Sequence, residues 1–182
     1  MAAGPSQAAH LTLAAHPTTP APAVRSLTAD VWPAQAGRLR VRFTLQGDIS
    51  LLHVPLPVAA TRRDELWRHT CFEAFVAPAS GTAYREFNLS PSAEWAVYDF
   101  EAYRVHAALR PDAAPACKIS TTLTAVTLDA DLPLDVLAGR PARVGLSAVV
   151  ESVGGVLSYW ALAHTGPRPD FHRAESFVHL LS

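Results

Sequence analysis

At 182 residues the chain has the length of one domain, enough to bury about 70% of its unfolded surface without a disulfide or metal staple. Hydrophobic residues are 49% and charged residues 17% of the sequence, which excludes a disordered chain. A net charge of -1 and a pI near 6.7 exclude a protein held to nucleic acid or to a membrane surface by bulk positive charge.

The first residues are small and polar, and residues 1–9 read as a disordered tail ahead of a single domain over 10–182. MAAGPSQAAHLTLAAHPTTP has no basic start and no unbroken apolar stretch, so it does not read as a signal peptide, and no run is long enough to span a bilayer. A cytoplasmic location is the expectation. Cys71 and Cys117, the two cysteines, read as free, buried thiols.

Residues 10–15 (HLTLAA) suggest a short edge strand broken by His16-Pro17. Residues 24–31 and 38–46 alternate apolar and polar side chains: in RLRVRFTLQ, Leu39, Val41, Phe43 and Leu45 share one face. A short strand is expected over 51–54, and the charged run 61–69 reads as the loop that delivers Trp67. Three strands follow, 70–76, 84–89 and 94–100, separated by Gly81 and by Ser90-Pro91-Ser92 as in antiparallel hairpins. KISTTLTAVTL (118–128) is rich in β-branched residues and predicts one continuous strand. Residues 131–137 predict a short helix, with Asp131 as cap, Pro133 in the first turn and Gly139 past its end. Strands over 144–151 and 156–164, joined through Gly154-Gly155, and a last strand over 177–181 complete the reading. The fold class is therefore all-β: an antiparallel β-sandwich or closed barrel with one short helix.

Every second side chain of a strand shares a face. Cys71, Glu73 and Phe75 lie together on one strand, Tyr84, Glu86 and Asn88 on the next, and Ser158, Trp160, Leu162 and His164 near the C-terminus. Neighbouring strands would then bring Glu73, Glu86, Asn88, Trp160 and His164 to one face, with Trp67 at its rim. Such a face suits a sugar, whose C–H faces stack on indoles while carboxylates and amides take its hydroxyls. The competing reading makes the tryptophans packing groups and pairs the glutamates with Arg85 or Arg104. Glu73 resists it most, since a charge between Phe72 and Phe75 must be paired or functional.

HTCFEAFVAP, then YREFNLSPSAEWAVYDFEAYR, GLSAVVE, SYWALAH and PDFH, resembles the uncharacterised bacterial DOMON-like proteins, related to family 9 carbohydrate-binding modules. The resemblance runs from His16 to the final strand and implies a single sandwich of jelly-roll type. It also implies a terminal sugar held between two tryptophans, here Trp67 and Trp160, with Glu73 below and Glu86 and Asn88 adding polar contacts. The related haem domains use a methionine–histidine pair, and the only methionine is Met1; a bis-histidine site would draw on His53, His69, His106, His164 or His172.

His69, Cys71 and Glu73 alternate on one strand, but neighbours two apart are splayed and no metal site is assigned. The calcium of family 9 modules finds no site among the dispersed acids. Catalytic motifs such as GxSxG, HExxH and GxGxxG are absent, and a Glu73–Glu86 glycosidase pair or an Asp170–His172 pair is the alternative. The expectation is a non-catalytic domain without cofactor, binding a small ligand of sugar type through Trp67, Glu73, Glu86, Asn88, Trp160 and His164; the alternatives are a haem-binding module, a glycan-processing enzyme and a structural or partner-binding domain.

Overall fold

Period-two alternation through most of the chain is realised as strands. A computed structural model of the protein describes residues 7–108, 114–134 and 142–181. Twelve strands are present among them: β1 (Ala9–Ala15), β2 (Val24–Val31), β3 (Arg38–Gly47), β4 (Cys71–Pro78), β5 (Tyr84–Leu89), β6 (Trp95–Ala102), β7 (Val105–His106), β8 (Ala116–Thr121), β9 (Ala125–Pro133), β10 (Ala142–Glu151), β11 (Leu157–Ala161) and β12 (His179–Leu181). Every pairing between them is antiparallel. One sheet runs β1-β2-β3-β9-β8 and the other β1-β11-β10-β4-β5-β6-β7.

The first strand belongs to both sheets. Ala9 to Leu13 pair with β2, and Ala14 and Ala15 then pair with Ala161 and Trp160 of β11. On the far side, β12 takes up the part of β10 (Ala142 to Val144) that β11 does not reach.

Between the sheets lies one apolar core. Leu27, Leu39, Val41, Phe43, Leu45 and Leu128 meet Phe72, Phe87, Leu89, Leu146 and Val150, and the Phe43 and Phe72 rings pack with centroids 5.2 Å apart. Each such side chain contributes about 1.5–3 kcal/mol by leaving water. One charged pair shares this inner side: Arg85, 1% exposed, donates Nε and Nη2 to the two oxygens of its cross-strand neighbour Asp99 at 2.7 and 3.0 Å. In place of the glutamate pairing of the competing reading, Arg85 forms an arginine–aspartate fork on the opposite face.

Three expectations are corrected. The strand expected over 118–128 is a hairpin, β8 and β9, because the Thr122 hydroxyl accepts the N–H groups of Thr124 and Ala125 and turns the chain without glycine or proline. The helix expected from Asp131 does not start there. Asp131 to Pro133 continue β9 against Arg38 to Arg40, and Asp131 takes Arg38 Nε at 2.8 Å instead of capping; the remainder, 135–137 with Gly139, lies outside the described residues. In place of a strand over 51–54 there is a 3-10 turn, Ile49–Leu51, and a single bridge from Leu52 to Ser152. The tail's residues 1–6 also lie outside the described residues, and β1 begins at Ala9. Among the described residues no helix is long and apolar enough to cross a membrane.

Candidate functional site

On the outer face of the second sheet, β4 carries Cys71, Glu73, Phe75 and Ala77. The register Glu73↔Asn88, Phe75↔Glu86 and Glu86↔Tyr98 fixes which side chains of β5 and β6 stand beside them. This face is not open to water. The chain after β11 folds back over one end of it, and Phe177 stacks on Phe75 with centroids 5.6 Å apart while His172 meets Phe75, Tyr84 and Phe100 edge-on. Gly145 of β10 permits this approach, since a Cβ there would stand 2.6 Å from the Phe177 ring.

What the returning segment leaves uncovered is a pocket of about 500 Å³, within the range of small-molecule sites. Its floor includes Glu73, Glu86, Tyr98, Phe100, Val149 and Tyr159. Trp67 and Glu65 border it from the loop before β4, Arg104 from the β6–β7 turn, His106 from β7, and Asp170, Phe171 and His172 from the returning segment.

The two glutamates are nearly dry. Glu73 is 2% exposed; its Oε2 is 3.5 Å from the Ser147 hydroxyl, and its Oε1 has no hydrogen-bond partner among the described residues. Burial, reinforced by the charge of Glu86, pushes the Glu73 carboxyl well above the usual range. Glu86 accepts the Asn88 amide at 2.8 Å, and burial pushes its carboxyl up to about 7. Among the described residues neither has an arginine in ion-pair contact. Arg104 donates instead to Asp170, at 3.1 Å, and the nearest basic atom to Glu86 is Nε2 of His172, at 3.9 Å.

His172 is held neutral. Tyr84 Oη accepts the Arg104 backbone N–H at 3.1 Å and is hydrogen-bonded to His172 Nδ1 at 2.8 Å, while Nε2 of the same imidazole faces Glu86. Burial, with Arg104 nearby, lowers its pKa to about 4. Asp170 pins this wall in place: it accepts Tyr103 Oη, Arg104 Nη2 and the His172 N–H at 2.7, 3.1 and 3.2 Å. Glu65 and Arg104, facing the pocket from opposite loops, both hold left-handed backbone (φ 63° and 55°), a strain of order 1 kcal/mol each that the surrounding contacts sustain.

The structure brings together Trp67, Glu73 and Glu86 of the residues singled out in the sequence, and Trp67 stands at the rim, 45% exposed. It does not bring the other three. Trp160 is corrected to the opposite face: it is 7% exposed in the inter-sheet core, with its indole N–H on Ser158. The reason is register. Trp160 pairs with Ala148, whose side chain faces inward, whereas Tyr159 pairs with Val149 and therefore faces the pocket. Asn88 shares the face but is fully buried beneath it, its amide occupied by Glu86 and its carbonyl by the Cys71 thiol at 3.7 Å. His164 lies past the end of β11, where alternation no longer holds, and donates Nε2–H to the Ala14 carbonyl at 2.8 Å.

Tyr98, Tyr159 and Phe171 had not been singled out. Tyr159 was legible only through the Gly154-Gly155 hairpin, which fixes its pairing with Val149. Of the histidines a haem would need, His106 and His172 both pack on Phe100, at 4.6 and 5.2 Å between centroids, and His172 has one nitrogen committed to Tyr84.

No protein-family profile matches the chain, and no curated protein does. Among solved structures the fold is similar to that of a candidate carbohydrate-binding protein from Bacteroides uniformis (TM-score 0.68, 12% identity, covering 96% of this chain and 85% of that one). It is similar also to a family 9 carbohydrate-binding module from Caldicellulosiruptor kristjanssonii. In complex with glucose that module gives a TM-score of 0.57 at 8% identity, over 86% of this chain and 75% of that one. In complex with cellotriose the values are 0.52 and 8%, over 75% and 65%. At these identities the likeness establishes the β-sandwich fold.

Proposed function

We propose that the protein is a non-catalytic binder of a small neutral sugar unit, taken up in the pocket on the outer face of the second sheet. The observation that carries this reading is the Glu73 carboxyl: buried in the floor of a pocket that Tyr98 and Tyr159 also line, with one oxygen unpartnered among the described residues. A buried polar atom without a partner costs about 1–3 kcal/mol, which a ligand hydroxyl would recover. Two acids that burial pushes towards the neutral form suit a neutral ligand, and the neutral His172 imidazole beside Glu86 adds a further hydrogen-bonding nitrogen. Trp67 and Tyr159 supply flat faces for C–H stacking. The sugar-binding family 9 module with the same fold supports the ligand class, and the motifs quoted from the sequence support kinship with DOMON-like proteins.

Glycoside hydrolysis is the less favoured reading. Its two carboxyl groups must flank the scissile bond, one of them free to shuttle protons, whereas Glu73 and Glu86 rise side by side from neighbouring strands of one floor. The test is calorimetric titration with glucose, other monosaccharides and cello-oligosaccharides. Binding without release of shorter sugars, lost in Glu73→Gln, is expected. Silence across the panel would overturn the reading, and turnover would replace it with the enzyme.

A further inference from the structure

A second cluster lies outside the pocket. His53 follows the Ile49–Leu51 turn, His69 ends the 3-10 turn Leu66–Arg68, and Glu151 closes β10. Their side chains converge: His53 Nδ1 and His69 Nδ1 stand 2.7 and 2.8 Å from the same carboxylate oxygen, Glu151 Oε2. One ligand atom from each residue falls within 4.8 Å of the others, and this is the metal-competent group of three found among the described residues.

We propose that His53, His69 and Glu151 form a binding site for one divalent transition-metal ion of the zinc type. Two imidazole nitrogens and one carboxylate oxygen are a donor set suited to Zn²⁺, Co²⁺ or Ni²⁺ and poorly suited to Ca²⁺ or Mg²⁺, which require oxygen cages. Ion–ligand bonds of about 2.0–2.1 Å in a tetrahedron separate the donors by roughly 3.3 Å. Each nitrogen therefore has to withdraw from Oε2 by about half an ångström, and the two nitrogens, within 4.8 Å of each other, have to reach the same separation to admit the ion. The imidazoles are more than half exposed, so the ion has a path in and water can complete its shell.

The backbone beneath the donors is already fixed. The His53 N–H donates to the Glu151 carbonyl at 2.8 Å. The buried Thr70 hydroxyl donates to the His53 carbonyl at 2.6 Å and accepts the Glu151 N–H at 3.1 Å. The His69 N–H closes its turn on Leu66 at 3.1 Å. Three ligands from three separate parts of the chain are thus held in place by main-chain contacts that the ion need not create, the condition for a preorganised site.

An ion here would tie both ends of the segment from His53 to His69 to the end of β10. That segment carries Trp67 at the pocket rim, so occupancy would steady the rim without touching the pocket floor. The site itself does not depend on the sugar reading.

The experiment uses untagged full-length protein, stripped with chelator and titrated with Zn²⁺ by calorimetry, with Co²⁺ as a spectroscopic substitute. The expected result is one equivalent bound, a visible Co²⁺ ligand-field band of four- or five-coordination, and no displacement by millimolar Ca²⁺ or Mg²⁺. Affinity should fall at least thirtyfold in His69→Ala and in Glu151→Gln, and stay unchanged in His10→Ala. His53→Gln, an exposed replacement, provides a second variant should Glu151→Gln fold poorly. Absence of stoichiometric binding, or equal binding by wild type, His69→Ala and His53→Gln, would overturn the proposal.

Discussion

The outer faces of the two sheets treat acidic side chains in opposite ways. On the first sheet Asp129 accepts Arg42 through both its oxygens at 2.8 and 3.0 Å and has Arg40 at 3.6 Å, and Asp131 accepts Arg38; all lie within reach of water. On the second sheet Glu73 and Glu86 are nearly dry and meet a serine, an asparagine and a neutral histidine. The first face is a solvated ladder in which every acid is matched across a strand. The second keeps two acids in a state that the fold alone does not explain, and it does so under a partial roof. Charges that serve the fold are paired with arginine, as Asp99 is even on the inner side. The acids left without a cation among the described residues mark the place where an outside group is expected.

The largest effect that sharpens this contrast concerns neither outer face. Trp160→Ala, on the inner side of β11, should cost about 3–5 kcal/mol in chemical unfolding and leave sugar affinity per folded molecule unchanged. A specific loss of affinity at full stability would return Trp160 to the site.

Next comes the pH dependence of stability. Glu86 has a folded pKa of about 7 against an ordinary 4.5, and Glu73 is raised in the same direction. The folded state therefore binds more protons than the unfolded state, and their contribution, fully present below pH 4.5, is lost as pH rises through about 7. His172, at about 4 against an ordinary 6.5, binds fewer protons when folded and contributes the opposite slope, with stability lost as pH falls from 6.5 towards 4. In the doubly substituted Glu73→Gln/Glu86→Gln protein the opposing glutamate slope should be gone, leaving that of His172 with the same-signed ones of Glu151, Asp170, His164 and His179. Unfolding free energy should then rise by on the order of 3 kcal/mol from pH 4 to 6.5. A wild-type-like profile in that variant would mean that the glutamates are ionised in the fold.

Single neutralisations separate the two faces directly. Glu73→Gln should weaken sugar binding by about tenfold or more, read by calorimetry, with stability at pH 7 held or improved. Asp129→Asn on the first sheet should instead cost about 0.5–1 kcal/mol of stability and leave binding alone. The smallest effect is expected at the rim: Trp67→Ala should reduce affinity by about 1 kcal/mol and move stability by less than about 0.5 kcal/mol. If Trp67→Ala binds as wild type, the ligand sits on the floor, between Tyr98 and Tyr159.

Alternation made most strands and both glutamates legible in the sequence, because the side-chain period of a strand is a property of local residues. What it could not supply was the relation between strands. Whether Tyr159 or Trp160 faces Glu73 depends on a register through β10, and one residue of slip exchanges them. Local signals also yielded to pairing: a cap and a proline at Asp131 and Pro133 promised a helix, yet Arg38 and Arg40 hold that segment as strand. The Thr122 turn had no glycine to announce it. His53 and Glu151 are far apart in the chain, and nothing in either neighbourhood points to the other.

The sharing of β1 between the two sheets bears on how the protein is made. Residues 9–13 can pair with β2 as soon as both have left the ribosome, but Ala14 and Ala15 have no partner until residue 161 emerges. One strand thus has an early half and a late half, and the seam between the sheets closes only after β11 is synthesised. Until then the growing chain exposes an unpaired strand end beside an open apolar layer, the condition in which nascent β proteins pair with the wrong neighbour. Removing either β1 or β11 would leave that seam open permanently.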